Sequence, residues 1–210
     1  MADGRSEVLP NAPPAPLNVT YVIIITANEC SKTINVVATV NPTPVLSSTL
    51  TPPPICSGST FGYNATSATA GATFAWTRAS VAGITEIGTP GTGNVSETLT
   101  NTTTVPINVI YVYITTANGC ISAPQNVVVV VNPIPVLNST VTPAAICSGS
   151  AFNYTATSPT VWATFTWSRP ARDGITHPGT TAPGGTVSTV LAKSTKETHA
   201  ATCAYHIVIN

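Results

Sequence analysis

The amino-acid sequence predicts an all-β protein made of tandem β-sandwich modules, one complete and two partial. Of its 210 residues, 43% are hydrophobic and only 7% are charged, against about 25% charged in typical globular domains. The abundant Thr and Val favour strands because two heavy atoms on Cβ restrict χ1, and 19 Pro and 14 Gly separate short strands. Cys56 and Cys147, like Trp76 and Trp167, lie 91 residues apart, which indicates a repeated structural unit.

Residues 1–42 correspond to the back half of a module. The pattern of residues 6–11 returns at 96–101, and that of residues 18–30 returns at 108–120, both with an offset of 90. The chain therefore begins within a repeat, and this partial module is a candidate donor segment.

Residues 43–133 form the complete module. Alternation and turn residues predict seven strands: A near Val45–Thr51, B near Ser59–Thr66, C near Ala72–Arg78, D near Gly83–Ile87, E near Val95–Leu99, F near Asn108–Thr116 and G near Asn126–Asn132. Seven short strands at this spacing are typical of an immunoglobulin-like sandwich. An open loop over 88–93 is the alternative, and it would leave six strands.

Residues 134–210 form a third module that lacks its final strand. Strands A to C return closely, and Tyr205 is expected to repeat Tyr111 of strand F with an offset of 94. A sheet without strand G exposes an unpaired backbone ladder, which invites the addition of a strand from another chain.

The chain resembles a known group of repeats. The residues that carry the resemblance are Ile55-Cys56-Ser57-Gly58, Phe74-x-Trp76-Thr77, Ala117-Asn118-Gly119-Cys120 and Val131-Asn132-Pro133. They look like the PKD-like Ig-fold repeats of long cell-surface proteins and adhesins in Bacteroidetes-type bacteria, which are tied to gliding and type IX secretion. The resemblance implies a stalk, fibre or adhesive role and names no ligand. The Gly-Asp-Gly turn of ordinary PKD domains is absent after Trp76 and Trp167.

Five cysteines indicate an extracellular setting, where disulfides persist. Cys30, Cys56, Cys120 and Cys147 are disulfide candidates, either within a module (Cys56 with Cys120) or between modules or subunits. Strand parity puts the start of B and the end of F at opposite poles, roughly 25 Å apart at ~3.3 Å per residue, which is too far for a bond within one module. Cys203 is expected to be a buried free thiol.

Several classes of function are not expected. The net charge is zero, so the basic surface of a nucleic-acid binder is missing. The sequence has no run of 18 apolar residues, so no membrane-spanning helix is predicted. Closely spaced Cys pairs for zinc, nucleophile elbows and phosphate-binding loops are absent. No cofactor, metal or enzyme activity is therefore expected.

The aromatic residues divide into core and surface candidates. Trp76 and Trp167 recur in the same register and are predicted to be core residues of strand C, and Tyr111 is predicted to be a structural tyrosine of strand F. Trp162 has no match in the central module and is the better candidate for contact with glycans, beside the charged loop 169–177.

The leading functional hypothesis is a non-enzymatic extracellular subunit of a bacterial surface fibre. Copies of the chain would assemble head to tail, with the last strand of 1–42 completing residues 134–210 of the next copy. The donor residues would be Asn35, Val36, Ala38 and Val40. The alternative is a stalk or a glycan- or host-binding segment of a long cell-surface adhesin.

Overall fold

The computed structural model describes residues 7–10 and 15–194, and residues 204–209 as backbone. Every regular element in these ranges is a β-strand, so the predicted all-β class is confirmed. In chain order the strands are β1 (Leu17–Ala27), β2 (Cys30–Val40), β3 (Ile55–Cys56), β4 (Ser59–Tyr63), β5 (Thr73–Arg78), β6 (Thr89–Thr92), β7 (Val95–Leu99), β8 (Ile107–Ala117), β9 (Cys120–Ile121), β10 (Gln125–Asn132), β11 (Ala151–Thr155), β12 (Ala163–Arg169), β13 (Thr180–Pro183), β14 (Thr186–Val190) and β15 (Ala204–Ile209).

The strands belong to two compact units. The first comprises the described residues up to Thr100 together with Ile107–Val131, and the second comprises Asn101–Pro106 and the described residues from Asn132 onward. Within the described ranges, no helix is long and apolar enough to cross a membrane.

Strands β1 and β2 form an antiparallel hairpin that pairs over all eleven residues of each strand. Val, Ile and Thr dominate both strands, as expected for a pleated ladder. Asn28 and Glu29 make the turn, with positive φ angles of 46° and 63°. Two positive φ angles define a type I′ turn, whose twist matches that of the flanking strands.

The central module is a sandwich of two sheets. Strands β4 and β7 form one sheet, and the other has the order β3, β10, β8, β5, β6, with β9 beside β8. On β10, the alternate residues Val127, Val129 and Val131 are fully buried, while the residues between them are partly exposed. The inner faces meet in a core that also includes Phe61, Tyr63, Val95, Leu99, Val109, Tyr111 and Tyr113. The predicted immunoglobulin-like sandwich is confirmed.

The prediction of a regular strand A near Val45–Thr51 is wrong. The segment instead makes single backbone hydrogen bonds: Ser47 N–H donates to the carbonyl oxygen of Thr66, beyond the end of β4, at 2.8 Å, and Val128 N–H of β10 donates to that of Leu50 at 2.8 Å. Prolines flank this segment at positions 42, 44 and 52–54, and proline lacks the N–H group that a ladder requires.

The prediction of strand D near Gly83–Ile87 is also wrong, as is the alternative of an open loop over 88–93. The strand lies later, at β6, and pairs antiparallel with β5 from Ala75↔Thr92 to Arg78↔Thr89. This Pro-Gly strand sits at the edge of the sheet, where a missing N–H group is tolerated.

Gly91 fits this edge strand because its register partner is Trp76. A Cβ atom at position 91 would overlap the Trp76 indole ring. We therefore expect Gly91→Ala to lower the free energy of unfolding by about 1–3 kcal/mol, the usual range for overpacking. Urea unfolding of the full chain measures this. Ala182 faces Trp167 in the same register, so Ala182→Gly is the matched control, and an equal loss in both variants would contradict overpacking as the cause.

In the second unit, β11 pairs with β14, and β12 lies between β13 and β15. Strands β11 to β13 repeat β4 to β6 with the offset of 91, but β14 is displaced by one further residue. Phe152 pairs with Thr189, whereas its counterpart Phe61 pairs with Glu97. Thr189 therefore occupies the position of Glu97.

The backbone register also corrects the expected position of Tyr205. Tyr205 pairs with Trp167, as Tyr113 pairs with Trp76. It therefore takes the position of Tyr113 and not that of Tyr111. The offset is 92 rather than 94, and apolar alternation cannot separate these two values because a shift of two residues keeps every side chain on the same face.

Candidate functional site

The central module contains a buried cluster of an arginine, a carboxylate and a tyrosine. Arg78 ends β5, Glu97 lies on β7 in the opposite sheet, and Tyr111 lies on β8. The Nε and Nη2 atoms of Arg78 donate to the two carboxylate oxygens of Glu97 at 2.9 and 2.7 Å. The Tyr111 hydroxyl donates to Oε2 of Glu97 at 2.5 Å, and the Thr89 hydroxyl donates to Oε1 at 3.2 Å. A bidentate ion pair thus joins the two sheets.

Backbone carbonyls enclose the rest of the guanidinium group. Nη1 of Arg78 donates to Glu86 O at 3.2 Å, and Nη2 donates to Ile87 O at 2.6 Å. Gly88 allows this close approach, because a Cβ atom there would lie 2.6 Å from the carbonyl oxygen of Arg78. The Arg78 side chain is consequently inaccessible to solvent, and that of Glu97 is 17% exposed.

The electrostatics of the cluster hold each group in one charge state. Burial alone would raise the pKa of Glu97, but the hydrogen bonds from Arg78 and Tyr111 outweigh it, so this pKa lies below its ordinary value. Burial and the Glu97 carboxylate raise the pKa of Tyr111 well above its ordinary value. The hydrogen bond to Glu97 raises the pKa of Arg78. The arginine remains a cation, the glutamate an anion and the tyrosine a neutral donor.

This cluster is a clamp between the sheets and has no free group for catalysis. Glu97 accepts hydrogen bonds from three side chains, and the guanidinium group is shielded from solvent. Sequence reasoning did not single it out. The available signal was recurrence: Arg78 returns as Arg169, and Glu97 matches Glu7, in a chain with only seven basic and seven acidic residues.

The described part of the second unit repeats the arginine and its carbonyl contacts but not the carboxylate. Arg169 is 4% exposed. Its terminal nitrogens donate to the carbonyl oxygens of Pro170, His177 and Pro178. Thr189 takes the place of Glu97, and among the described residues the buried Nε of Arg169 has no hydrogen-bond acceptor.

The β1–β2 hairpin exposes residues whose counterparts form the core of the central module. Tyr21 pairs with Val36 as Tyr111 pairs with Val127. Tyr21 is 39% and Val36 is 45% exposed, whereas Tyr111 and Val127 are fully buried. The predicted donor residues Asn35, Val36, Ala38 and Val40 all lie on β2. An isolated two-stranded hairpin is only marginally stable in water. Burial of this apolar face against a partner would therefore stabilise the hairpin.

The four cysteines in the described ranges are free thiols. Cys30, Cys56 and Cys147 are exposed, and Cys120 is partly buried. The position of Cys203 lies outside the described residues.

Cys56 and Cys120 are not brought together. Cys56 lies two residues before Gly58, whose N–H group donates to the carbonyl oxygen of Leu99 at the end of β7. Cys120 follows the far end of β8, a strand of eleven residues, which spans roughly 33 Å at ~3.3 Å per residue. A disulfide allows a Cα separation of only about 7 Å. This geometry favours pairing between modules, and the pairing itself stays a prediction.

The three aromatic residues predicted to be core residues are buried or partly buried in the two units. Tyr111 is fully buried, and Trp76, which is partly buried, meets it edge-on with ring centroids 5.4 Å apart. Trp167 is buried in the second unit. Trp162, the predicted surface residue, is 67% exposed. Arg169 begins the charged loop that a glycan-binding role would need exposed, and it is buried because its guanidinium group binds backbone carbonyls.

The described residues contain no group of three or more His, Cys, Asp or Glu side chains that could hold a metal ion. Asp173 and His177, the one acid–base pair of the loop, are both exposed to solvent.

The central sandwich and its Arg78–Glu97–Tyr111 cluster lie in the segment that one family model matches. Residues 53–135 match the family model of the PKD-like domain. This match confirms the PKD-like part of the resemblance for the central module; a Bacteroidetes origin and a link to type IX secretion stay predictions. PKD-like domains are typically extracellular, generally non-catalytic modules with structural or adhesive roles. No curated protein matches the chain.

Proposed function

We propose that this chain is a non-enzymatic structural subunit of an extracellular fibre on a bacterial surface, in the setting of gliding and type IX secretion that the resemblance implies. Copies assemble head to tail, with strand β2 of one copy completing the last module of the next. Because the donor and acceptor surfaces differ, the contact is heterologous, and repeated contacts of this kind build an open fibre. Disulfides between modules or subunits would lock the fibre after assembly.

One observation carries this proposal: the exposed face of the hairpin matches a fully buried face of the central module. Val36 is 45% exposed in the hairpin, whereas Val127 at the same register is fully buried. The PKD-like match of the central module supports an extracellular structural role. In the described part of the second unit, β15 pairs with β12 alone and lies at the sheet edge, where donor strands could add beside it or take its place.

The test is the size of the full chain in solution, measured by light scattering with and without reductant. A series of oligomers of increasing size, with the larger oligomers retained in the sample without reductant, supports the fibre. Deleting residues 1–42 is expected to leave monomers. A full-length chain that stays monomeric at all concentrations would sink the proposal.

Trp162 favours a second candidate, a glycan-binding segment of a long adhesin or stalk. Trp162 has a positive φ of 58°, and its counterpart in the central module is Gly71, with φ of 71°. A bulky residue in this left-handed region is strained by about 1–2 kcal/mol. Strain of this kind often marks a functional position.

We expect Trp162→Gly to raise the free energy of unfolding by about 1 kcal/mol, since it relieves the left-handed strain. The same variant is expected to abolish glycan binding if the chain is an adhesin, because exposed aromatic rings stack on sugars. Thermal unfolding and glycan-array binding measure the two effects, with Trp162→Phe as the control that keeps an aromatic ring. A variant that loses stability contradicts the strain, and unchanged array binding contradicts the adhesin.

A further inference from the structure

We propose that Arg169 of one copy pairs with Glu7 of a second copy, and that Tyr21 of the second copy completes the cluster. The inference rests on the proposed strand complementation and extends it. The segment that completes the second unit is then the whole of Glu7 to Val40 from another chain.

The central module supplies the template for this contact. Its Arg78 sits in backbone carbonyls on one side and receives Glu97 and Tyr111 on the other. Arg78 comes from the front half of the module, and Glu97 and Tyr111 come from the back half. The cluster is therefore complete only when both halves are present.

The described part of the second unit holds the front half of this cluster alone. Arg169 is 4% exposed, and its Nε has no acceptor among the described residues. The register puts Thr189 at the glutamate position and puts Tyr205 two residues from the tyrosine position. A buried guanidinium group without a carboxylate is unfavourable, because backbone carbonyls replace its lost hydration only in part and do not neutralise its charge.

The N-terminal segment holds the back half of the cluster alone. The Tyr21 hydroxyl donates to Oε2 of Glu7 at 3.4 Å, the same contact that Tyr111 makes with Glu97. Glu7 is exposed, and it forms no ion pair with any other described residue. Among the described residues, one surface thus carries a carboxylate and a tyrosine without a cation, and the other carries a cation without either.

The strand registers state how the two halves would fit. Residues 7–10 of the donor replace β14 beside β11, which puts Glu7 opposite Phe152 as Glu97 lies opposite Phe61. Donor strand β1 replaces β15 beside β12, which puts Tyr21 opposite Arg169 as Tyr111 lies opposite Arg78. Strand β2 then adds as the final strand. Exchange of equivalent elements between identical chains is a low-cost route to assembly.

The test is charge reversal in the full chain under reducing conditions, with assembly followed by light scattering. Glu7→Arg and Arg169→Glu are each expected to raise the concentration needed for assembly by about a hundredfold or more, because a buried charge is left unpaired. Mixing the two variants, or combining both changes in one chain, restores an opposite-charge pair and is expected to restore assembly. Glu29→Arg, an exposed charge reversal in the same hairpin, is the matched control and is expected to assemble as the unchanged chain does.

Arg169→Glu can unfold its own module, so the donor side carries an independent comparison. Glu7→Gln leaves the acceptor intact and is expected to weaken assembly much more than Glu29→Gln. If the Glu7 variants assemble normally while charges on β2 block assembly, the ion pair is overturned and strand complementation stands. If the unchanged chain never assembles, both are overturned.

Discussion

Replacing Glu97 with Gln is expected to lower the free energy of unfolding of the central module by about 3–5 kcal/mol. The change removes the negative charge and leaves the Arg78 guanidinium group buried, with 0% of its side chain exposed. The buried charge then keeps the carbonyl oxygens of Glu86 and Ile87 but has no counter-charge to offset its lost hydration. Urea unfolding of the full chain, followed by tryptophan fluorescence, measures the shift.

Two controls separate the charge effect from simple loss of packing. Glu29→Gln changes an exposed turn residue and is expected to alter stability by no more than about 0.5 kcal/mol. The double variant Arg78→Met with Glu97→Leu removes both charges together and is expected to recover most of the loss, as replacement of buried ion pairs by apolar residues commonly does. A double variant as unstable as Glu97→Gln would show that packing, and not the unpaired charge, dominates.

The same ion pair gives stability a defined pH dependence. The pKa of Glu97 is lower in the folded protein than its ordinary value of 4.5, so the folded state binds the proton less readily than the unfolded chain. Its contribution is therefore fully present above pH ~4.5 and is lost as the pH falls through the folded-state pKa. Glu97→Gln is expected to lack this component of the acid transition, and an unchanged acid transition would contradict the assignment.

The repeat and most strands could be predicted because their signals are local. Strand β7 lies at Val95–Leu99, where alternation placed it, and the Asn-Gly and Asn-Glu turns mark the ends of long paired strands. The prediction of strand A was wrong because alternation within Val45–Thr51 does not reveal that this segment makes only single backbone hydrogen bonds. Strand β6 was missed because its Pro-Gly sequence has low strand propensity, and its position depends on pairing with β5.

The cluster could not be predicted because it depends on register across sheets. Arg78 and Glu97 are 19 residues apart in the sequence, and the pairing of separate strands, which decides their contact, leaves no local pattern. The loss of the pair in the second unit is harder still to predict, since a displacement of one residue puts Thr189 at the glutamate position. The recurrence of charged residues in a chain of low charge identifies the candidate partners, but it does not predict which of them form a pair.

Val36→Asp in the full chain is expected to raise the concentration needed for assembly by at least about a hundredfold. In the proposed fibre, Val36 takes the place that Val127 has in the central module, where the side chain is fully buried. A carboxylate at that place would lose its hydration without a partner. In a single chain Val36 is 45% exposed, so the substitution leaves the monomer's own packing nearly unchanged. Sedimentation velocity over a concentration series measures the effect.

Val37→Asp is the matched control, because the next residue of a strand points to the opposite face. Val37 is 58% exposed and carries the same change in charge and size on the same strand. Its counterpart Val128 is only partly buried, so Val37→Asp is expected to assemble within a few-fold of the unchanged chain. Equal loss in both variants would mean that added negative charge alone blocks assembly, and normal fibres from Val36→Asp would rule out β2 as the donor strand.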